Sequence, residues 1–343
     1  MEITILQGLW FLLIFVLIAG YLVLDGFDLG VGVLYPFVAK TDEEKAIARR
    51  SIGPVWDGNE VWLLTAGGAL FAAFPEAYAT TFSGFYLAII LVLMGLILRA
   101  VSVEYATIDK KWSKFWNTCF FIGSLLPALL FGVAVGNVYA GIPMDANGDY
   151  AGVALFGLIT PFTLLVGLLG LSIILCQGAT WLAQKAPKPS DLQARAAKLR
   201  MPLQIIALAL FAVVTVYALA GIQPEMESSL AAVRWIIAIL FVVCVVASIV
   251  MGRSDNDLPA FVLQSTSAFL IVMLLAASMF PNLVVASADS VGASITAMSA
   301  ASSDLTLTIM TVITCIFLPI VLIYEVVVYR KFRGRVTAED LAH

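Results

Sequence analysis

Apolar positions in this chain come in unbroken runs of twenty or more residues, rather than alternating or forming one helical stripe, and the polar positions are gathered into short connectors between them. Runs at residues 5-39, 54-74, 77-102, 115-138, 153-184, 202-221, 230-251, 258-280 and 305-329 predict nine membrane-spanning helices. Each is long enough to cross a hydrocarbon layer roughly 30 Å thick. The division between the second and third rests on Phe74-Pro75-Glu76, because proline bars helix continuation and glutamate prefers the interface. No connector is long enough to form a soluble domain. The pattern therefore predicts an all-α polytopic membrane protein, one integral membrane domain over residues 1-343, with no exact internal repeat. The connector carrying Pro187-Lys188-Pro189-Ser190 marks a division into a first helical set over about 5-184 and a second set plus last helix over about 200-335. On packing grounds the expected layout is two four-helix bundles plus one additional helix. Gly67-Gly68 and Gly167-Leu168-Leu169-Gly170 are expected to let helices approach closely.

Composition strengthens this picture. Of 343 residues, 62% are hydrophobic and 12% charged, against about a quarter charged in soluble domains. A net charge of -4 with dispersed basic residues excludes a nucleic-acid-binding stripe. Lys and Arg fall in alternate connectors: Lys40 to Arg50, Arg99 to Lys114, Lys185 to Arg200, Arg253, and Arg330 to Arg335. The connectors around Pro75, Asn137 to Tyr150, Gln223 to Ser229 and Pro281 to Asp304 have none, and only Arg234 breaks the rule. Positive residues stay inside, so the amino terminus is expected outside and the carboxyl terminus in the cytoplasm. The run from Ile5 to Leu24 continues straight into Asp25, as a membrane helix does and a cleaved leader does not. The four cysteines stand singly in apolar runs, without metal or redox spacing. The one histidine is His343, so the membrane runs offer no imidazole to a haem or metal. Methionine remains as an axial ligand type, although ten Met in so apolar a chain read as packing.

Against this background the acids inside the runs stand out. Asp25 and Asp28 lie three residues apart in the first run, and Asp57 and Glu60 repeat the spacing at the mouth of the second. On a helix, that spacing puts both members of a pair on one face. An ionisable group in hydrocarbon costs roughly 2.5 to 3.5 kcal/mol, so it faces protein or water. Both pairs are expected in the cytoplasmic half, where four poorly solvated carboxylates would share at least one proton. Such a group suits a proton relay, with Arg99 holding one acid ionised and Glu104 at the inner entrance. Blander readings stay open. Asp57 or Asn59 could cap a helix, and Arg99 could snorkel to the surface. Glu76, Asp304 and Glu325 read as solvated ends, and Trp112, Trp116, Trp181 and Tyr329 as interface anchors. Trp56 and Trp62 bracket the second acid pair and either line a path or pack a partner.

The strings Leu24-Asp25-Gly26-Phe27-Asp28-Leu29-Gly30-Val31-Gly32 and Trp56-Asp57-Gly58-Asn59-Glu60-Val61-Trp62-Leu63, continued by Thr65 to Pro75, closely resemble subunit II of the cytochrome bd-type quinol oxidases. Ser83-Gly84-Phe85-Tyr86, Gln177-Gly178-Ala179-Thr180, Met279-Phe280-Pro281, Ser302 to Leu307 and Phe332 to Thr337 are similar to further segments of that family. The resemblance implies a nine-helix subunit paired with a haem-bearing subunit I in a bacterial inner membrane. Together the two oxidise quinol and reduce oxygen to water, taking protons from inside and releasing them outside. It also implies that haem b, haem d and the quinol site belong to subunit I, with no cofactor bound directly by this chain beyond, in some members, a quinone. Lipid and small accessory subunits would complete the partners. Carried over by motif, Asp25, Asp28, Asp57 and Glu60 belong to a proton path, with Trp56 beside it and Trp62 near an oxygen entry. Some relatives have glutamine in place of Glu60 and of Asp304, which puts the weight on Asp25 and Asp57. Without the resemblance, the same acids leave a proton-coupled secondary transporter open, a class that favours inverted repeats around a midplane site.

Overall fold

A computed structural model describes residues 3-222, 230-337 and 340. The expected connector 223-229 and His343 lie outside the described residues. The chain forms helices α1 (Ile5–Val38), α2 (Asp42–Ile52), α3 (Trp56–Ala73), α4 (Pro75–Gly84), α5 (Tyr86–Ile108) and α6 (Ser113–Ala140). Then come α7 (Pro161–Lys185), α8 (Asp191–Tyr217), α9 (Ala231–Arg253), α10 (Asp257–Met279) and α11 (Asp304–Lys331). A small antiparallel ribbon, β1 (Asn282–Val284) with β2 (Ile295–Thr296), lies between the last two helices. Among the described residues the molecule is thus helical apart from that ribbon and two isolated β-bridges, Ile142 with Ala286 and Met144 with Tyr150.

Eight described helices are long and apolar enough to cross a membrane: α1, α5, α6, α7, α8, α9, α10 and α11. The expected span left over, 54-74, corresponds to α3, whose 18 residues open on a polar turn containing Asp57, Asn59 and Glu60. α3 is long enough but, with that polar turn, not apolar enough to be counted with the eight. The break at Phe74-Pro75 is real, with Phe74 at φ -138, ψ 67, but a second break at Phe85 divides the expected third span into α4 and α5. Other boundaries move too. Residues 153-160 precede α7, which begins at Pro161 behind a Thr160/Thr163 capping box. Ser190 caps α8, so that helix starts well before Pro202, which sits inside it. Membrane helices tolerate an interior proline when neighbouring groups re-satisfy the backbone.

The architecture is organised by α1, which is about 51 Å long at 1.5 Å per residue and packs against α3, α6, α7 and α10. From Asp25 to Tyr35 every residue of α1 is buried. The crossing with α7 explains how: a Cβ at Gly30 would lie 2.2 Å from the Ile174 carbonyl oxygen, and one at Gly178 would lie 2.3 Å from the Gly30 carbonyl carbon. Only two glycines permit backbones that close. The close approach expected at Gly167 is present, against Val133 and Leu129 of α6. At Gly67-Gly68 it is not: a Cβ at Gly68 would meet nothing within 4 Å.

The two ends of the bundle are closed differently. At one end, Ser302 donates its backbone N–H to the Ala73 carbonyl at 2.9 Å and its hydroxyl to the Ala72 carbonyl at 2.7 Å. Those bonds satisfy the last carbonyls of α3. At the other end, α2 lies across the base of α1, and Ile47, Ala48 and Ile52 join Val31, Leu34 and Tyr35 in one apolar cluster with Trp181 and Leu182 of α7. Trp181 is therefore not an interface anchor. It stacks on Phe27 at 4.1 Å and donates to the Ser51 carbonyl at 3.2 Å. The segment after α11 folds back onto this end, where Lys185 donates to the carbonyls of Phe332 and Gly334. Arg335 donates to the Ala183 and Ala186 carbonyls at 2.9 and 2.7 Å and to Asp257 at 2.8 Å.

Candidate functional site

The site forms where α1, α3, α5 and α11 meet. Asp25 and Asp28, a turn apart on α1, are both fully buried (0% exposed), and Arg99 of α5 is 1% exposed beside them. Arg99 does not snorkel. Its Nη1 donates to Asp25 Oδ1 at 2.7 Å, and its Nη2 is hydrogen-bonded to Glu60 Oε1. One guanidinium thus bridges acids from two helices, the geometry for which its planar fork is suited. Gly123 of α6 makes room, since a Cβ there would lie 2.6 Å from the Arg99 backbone nitrogen.

Asp28 is held by a second set. Asn59 donates through Nδ2 to Asp28 Oδ2 at 2.7 Å and to the Leu24 carbonyl at 3.0 Å. Tyr329 of α11 donates to Asn59 Oδ1 at 3.0 Å. Tyr329 is thus part of the site, not an interface anchor. Three carboxylates and one guanidinium share the interior. Asp25 Oδ2 and Asp28 Oδ1 are buried without a hydrogen-bond partner, as are the Tyr21 hydroxyl and Arg99 Nε. A carboxylate oxygen buried without a donor is a place for a proton.

Sequence reasoning expected four acids to converge, and three do. Asp57 is exposed, its Oδ1 accepting the backbone N–H of Gly58 at 2.8 Å within the first turn of α3. The inward side of α3 carries Asn59, Trp62 and Ala66. Asp57 stands about 200° around the helix from Asn59, so it faces outward, while Glu60 sits on the flank with its side chain 26% exposed. Glu104 is exposed near the end of α5. Trp56 is half-buried and packs on the apolar cluster under α2. Trp62 is buried, its ring filling the space over Gly20 of α1 and facing Glu325 of α11. Glu325, read as a solvated end, is half-buried near Gly58 and Trp62. Tyr21 and Gln177 were missed as well. The spacing 21, 25, 28 was a legible signal for Tyr21, whereas nothing local pointed to Tyr329. Gln177 of α7 donates to the Leu22 carbonyl at 2.9 Å and leaves Oε1 buried and unpaired.

These donors do not fit a haem seat. No imidazole lies among the described residues, and the buried carboxylates are already engaged by Arg99 and Asn59.

The family described as cytochrome bd terminal oxidase subunit II matches residues 6-332. The chain is 37% identical to the cytochrome bd-I ubiquinol oxidase subunit 2 of Escherichia coli (strain K12), over 98% of this chain and 97% of that one. It is 36% identical to a probable cytochrome oxidase subunit 2 of Haemophilus influenzae, over 97% and 96%. With the cytochrome bd ubiquinol oxidase subunit 2 of Bacillus subtilis it shares 34%, over 98% of both. The solved bd oxidase of Geobacillus thermodenitrificans has a chain of similar fold, with a TM-score of 0.77 at 16% identity, over 96% of this chain and 99% of that one.

Proposed function

The chain belongs to the cytochrome bd terminal oxidase subunit II family, and from that premise we propose that it serves a bd-type quinol oxidase as the haem-free subunit that carries protons to a haem-bearing subunit I. The haems, of b and d types and held by that partner, supply the electron transfer and oxygen reduction. This chain supplies scaffold and a polar route through the membrane. The orientation proposed is amino terminus outside and carboxyl terminus in the cytoplasm of a bacterial cell, with α3 as a ninth, short span. In that orientation the end closed by α2 and the returning tail faces the cytoplasm.

One observation carries the reading: two fully buried aspartates, each with one oxygen tied and one free. Protons reach Asp28 at its free oxygen, while Tyr329 and Asn59 fix the other, then pass to the free oxygen of Asp25 and leave by Glu60 at the flank of α3. Arg99 keeps the set from being neutralised all at once, because its fixed charge favours at least one ionised acid. Asp57 and Glu104, both exposed, belong to the outer approaches of the path rather than its buried part. Trp56 borders the path, and Trp62, buried between α1 and α11, is placed to line any oxygen route.

The test is the intact complex bearing Asp25→Asn. Quinol-dependent oxygen consumption is expected to fall on the order of tenfold or more, with the haem spectrum and subunit composition unchanged. Normal turnover with normal proton uptake would overturn the path. A chain that purifies without a haem-bearing partner and accumulates solute in vesicles would overturn the oxidase reading itself.

A further inference from the structure

Tyr21, Asp25 and Asp28 occupy positions i, i+4 and i+7 of α1, one continuous face. Tyr21 is buried, its ring held edge-to-face against Phe131 of α6 with centroids 5.4 Å apart at 77°. That contact leaves the phenol little freedom except rotation of its O–H. The hydroxyl lies within reach of the Asp25 carboxylate, one turn along the helix, but no well-formed hydrogen bond joins them, and the Tyr21 oxygen and Asp25 Oδ2 are both buried without a partner. Two orphaned polar atoms a turn apart on one buried helix face are rare, because each loses its hydration without compensation. Either an ordered water joins them or the hydroxyl turns to bond directly.

We propose that Tyr21 is a positioning residue of the proton path, its hydroxyl governing Asp25 Oδ2, the one oxygen of that acid that Arg99 does not hold. The inference rests on the proton-path reading and adds a residue to it. A hydroxyl both donates and accepts. When Asp25 is ionised, Tyr21 donates to Oδ2, directly or through the water. When a proton arrives, an O–H bond forms at Oδ2 as the donor's O–H breaks, and the Tyr21 hydroxyl turns to accept. Tyr21 keeps its own proton throughout, so charge balances on Asp25 alone. The charged groups that act on it are Asp25 of its own helix, Glu60 of α3 and Arg99 of α5, with Asp28 a turn further on beside Arg99. From α6 it meets the neutral ring of Phe131, and Gln177 of α7, also neutral, binds the carbonyl of the next residue, Leu22.

The experiment compares Tyr21→Phe and Asp25→Asn in the intact oxidase with its haem-bearing partner. Phenylalanine keeps the ring and its contact with Phe131 while removing the hydroxyl. The expected result is a several-fold loss of quinol-dependent oxygen consumption in Tyr21→Phe, an enlarged solvent deuterium isotope effect on turnover, and an unchanged haem spectrum. In infrared difference spectra, the carbonyl band that disappears in Asp25→Asn should shift in Tyr21→Phe. A packing role would move neither the isotope effect nor that band. Wild-type turnover, isotope effect and band in Tyr21→Phe, with Asp25→Asn impaired, would overturn the role of Tyr21 and leave the path standing. An unimpaired Asp25→Asn would overturn both. Should Tyr21→Phe fail to assemble, high-resolution density of the wild-type complex decides: a water or direct bond between Tyr21 and Asp25 Oδ2 supports the inference, and a Tyr21 hydroxyl bonded elsewhere overturns it.

Discussion

At the scale of single residues, the site depends on one arginine. Arg99 is almost without solvent and compensates acids from two helices. Removing one partner of a buried ion pair is costly because the other charge stays behind; the loss is about 3 to 5 kcal/mol. Arg99→Gln is therefore expected to shorten the thermal lifetime of the detergent-solubilised complex sharply. Adding Asp25→Asn to it should restore part of that lifetime, since the stranded charge is then gone. A lifetime equal to wild type in the single variant would show that the ion pair is not what holds α1 to α5. The same scale explains why Asp57 lies outside the cluster. The i, i+3 rule told correctly that Asp57 and Glu60 are neighbours on α3, and it was silent on which of them turns toward the cluster.

At the scale of elements, α2 is the piece that hydropathy counting overlooked. It is polar, only 11 residues long, and lies at the end of the bundle. Its signals were nevertheless present: a Thr41/Glu44 capping box, three acids in the first turn, and Arg49 and Arg50 in the last, each favourable to the helix dipole. Glu44 accepts from the backbone N–H groups of Lys40 and Thr41 at 2.6 and 3.1 Å and pairs with Arg195 of α8. Burial pushes the Glu44 carboxyl upward, but those three donors outweigh it and hold the group below the usual carboxylate range. A depressed folded value means that the stabilisation is fully present above the unfolded pKa, about 4.3, and is lost as pH falls through the lower folded value. Amide exchange in α2 is accordingly expected to accelerate as pH drops below about 4, beyond the intrinsic pH dependence of exchange. Glu44→Gln should show the accelerated state already at neutral pH. Identical protection in the variant would remove Glu44 from the account.

At the scale of the whole molecule, the chain is closed by its own end. Arg335 reaches the carbonyl groups at the end of α7 and Asp257 at the start of α10, and Asp257 is also paired with Arg200 of α8 at 2.7 Å. Arg335→Ala is expected to loosen this end by about 1 to 3 kcal/mol, measured as faster amide exchange in the last turn of α7 and the first of α10. Unchanged exchange at both places would mean that the tail merely rests there. Long apolar runs without water-compatible alternatives could only become membrane helices, so the sequence alone determined the class, most of the spans, the buried acids of α1 and the family. It did not determine which side of each helix turns inward. In a water-soluble protein hydrophobic periodicity reveals that, because one side meets solvent. In a membrane the outer side is as apolar as the inner, and the stripe is erased. Only the packed structure, through crossings such as Gly30 on Gly178 and Trp62 on Gly20, set the rotations that brought Asn59 and Tyr329 to Asp28, Arg99 to Asp25, and left Asp57 outside.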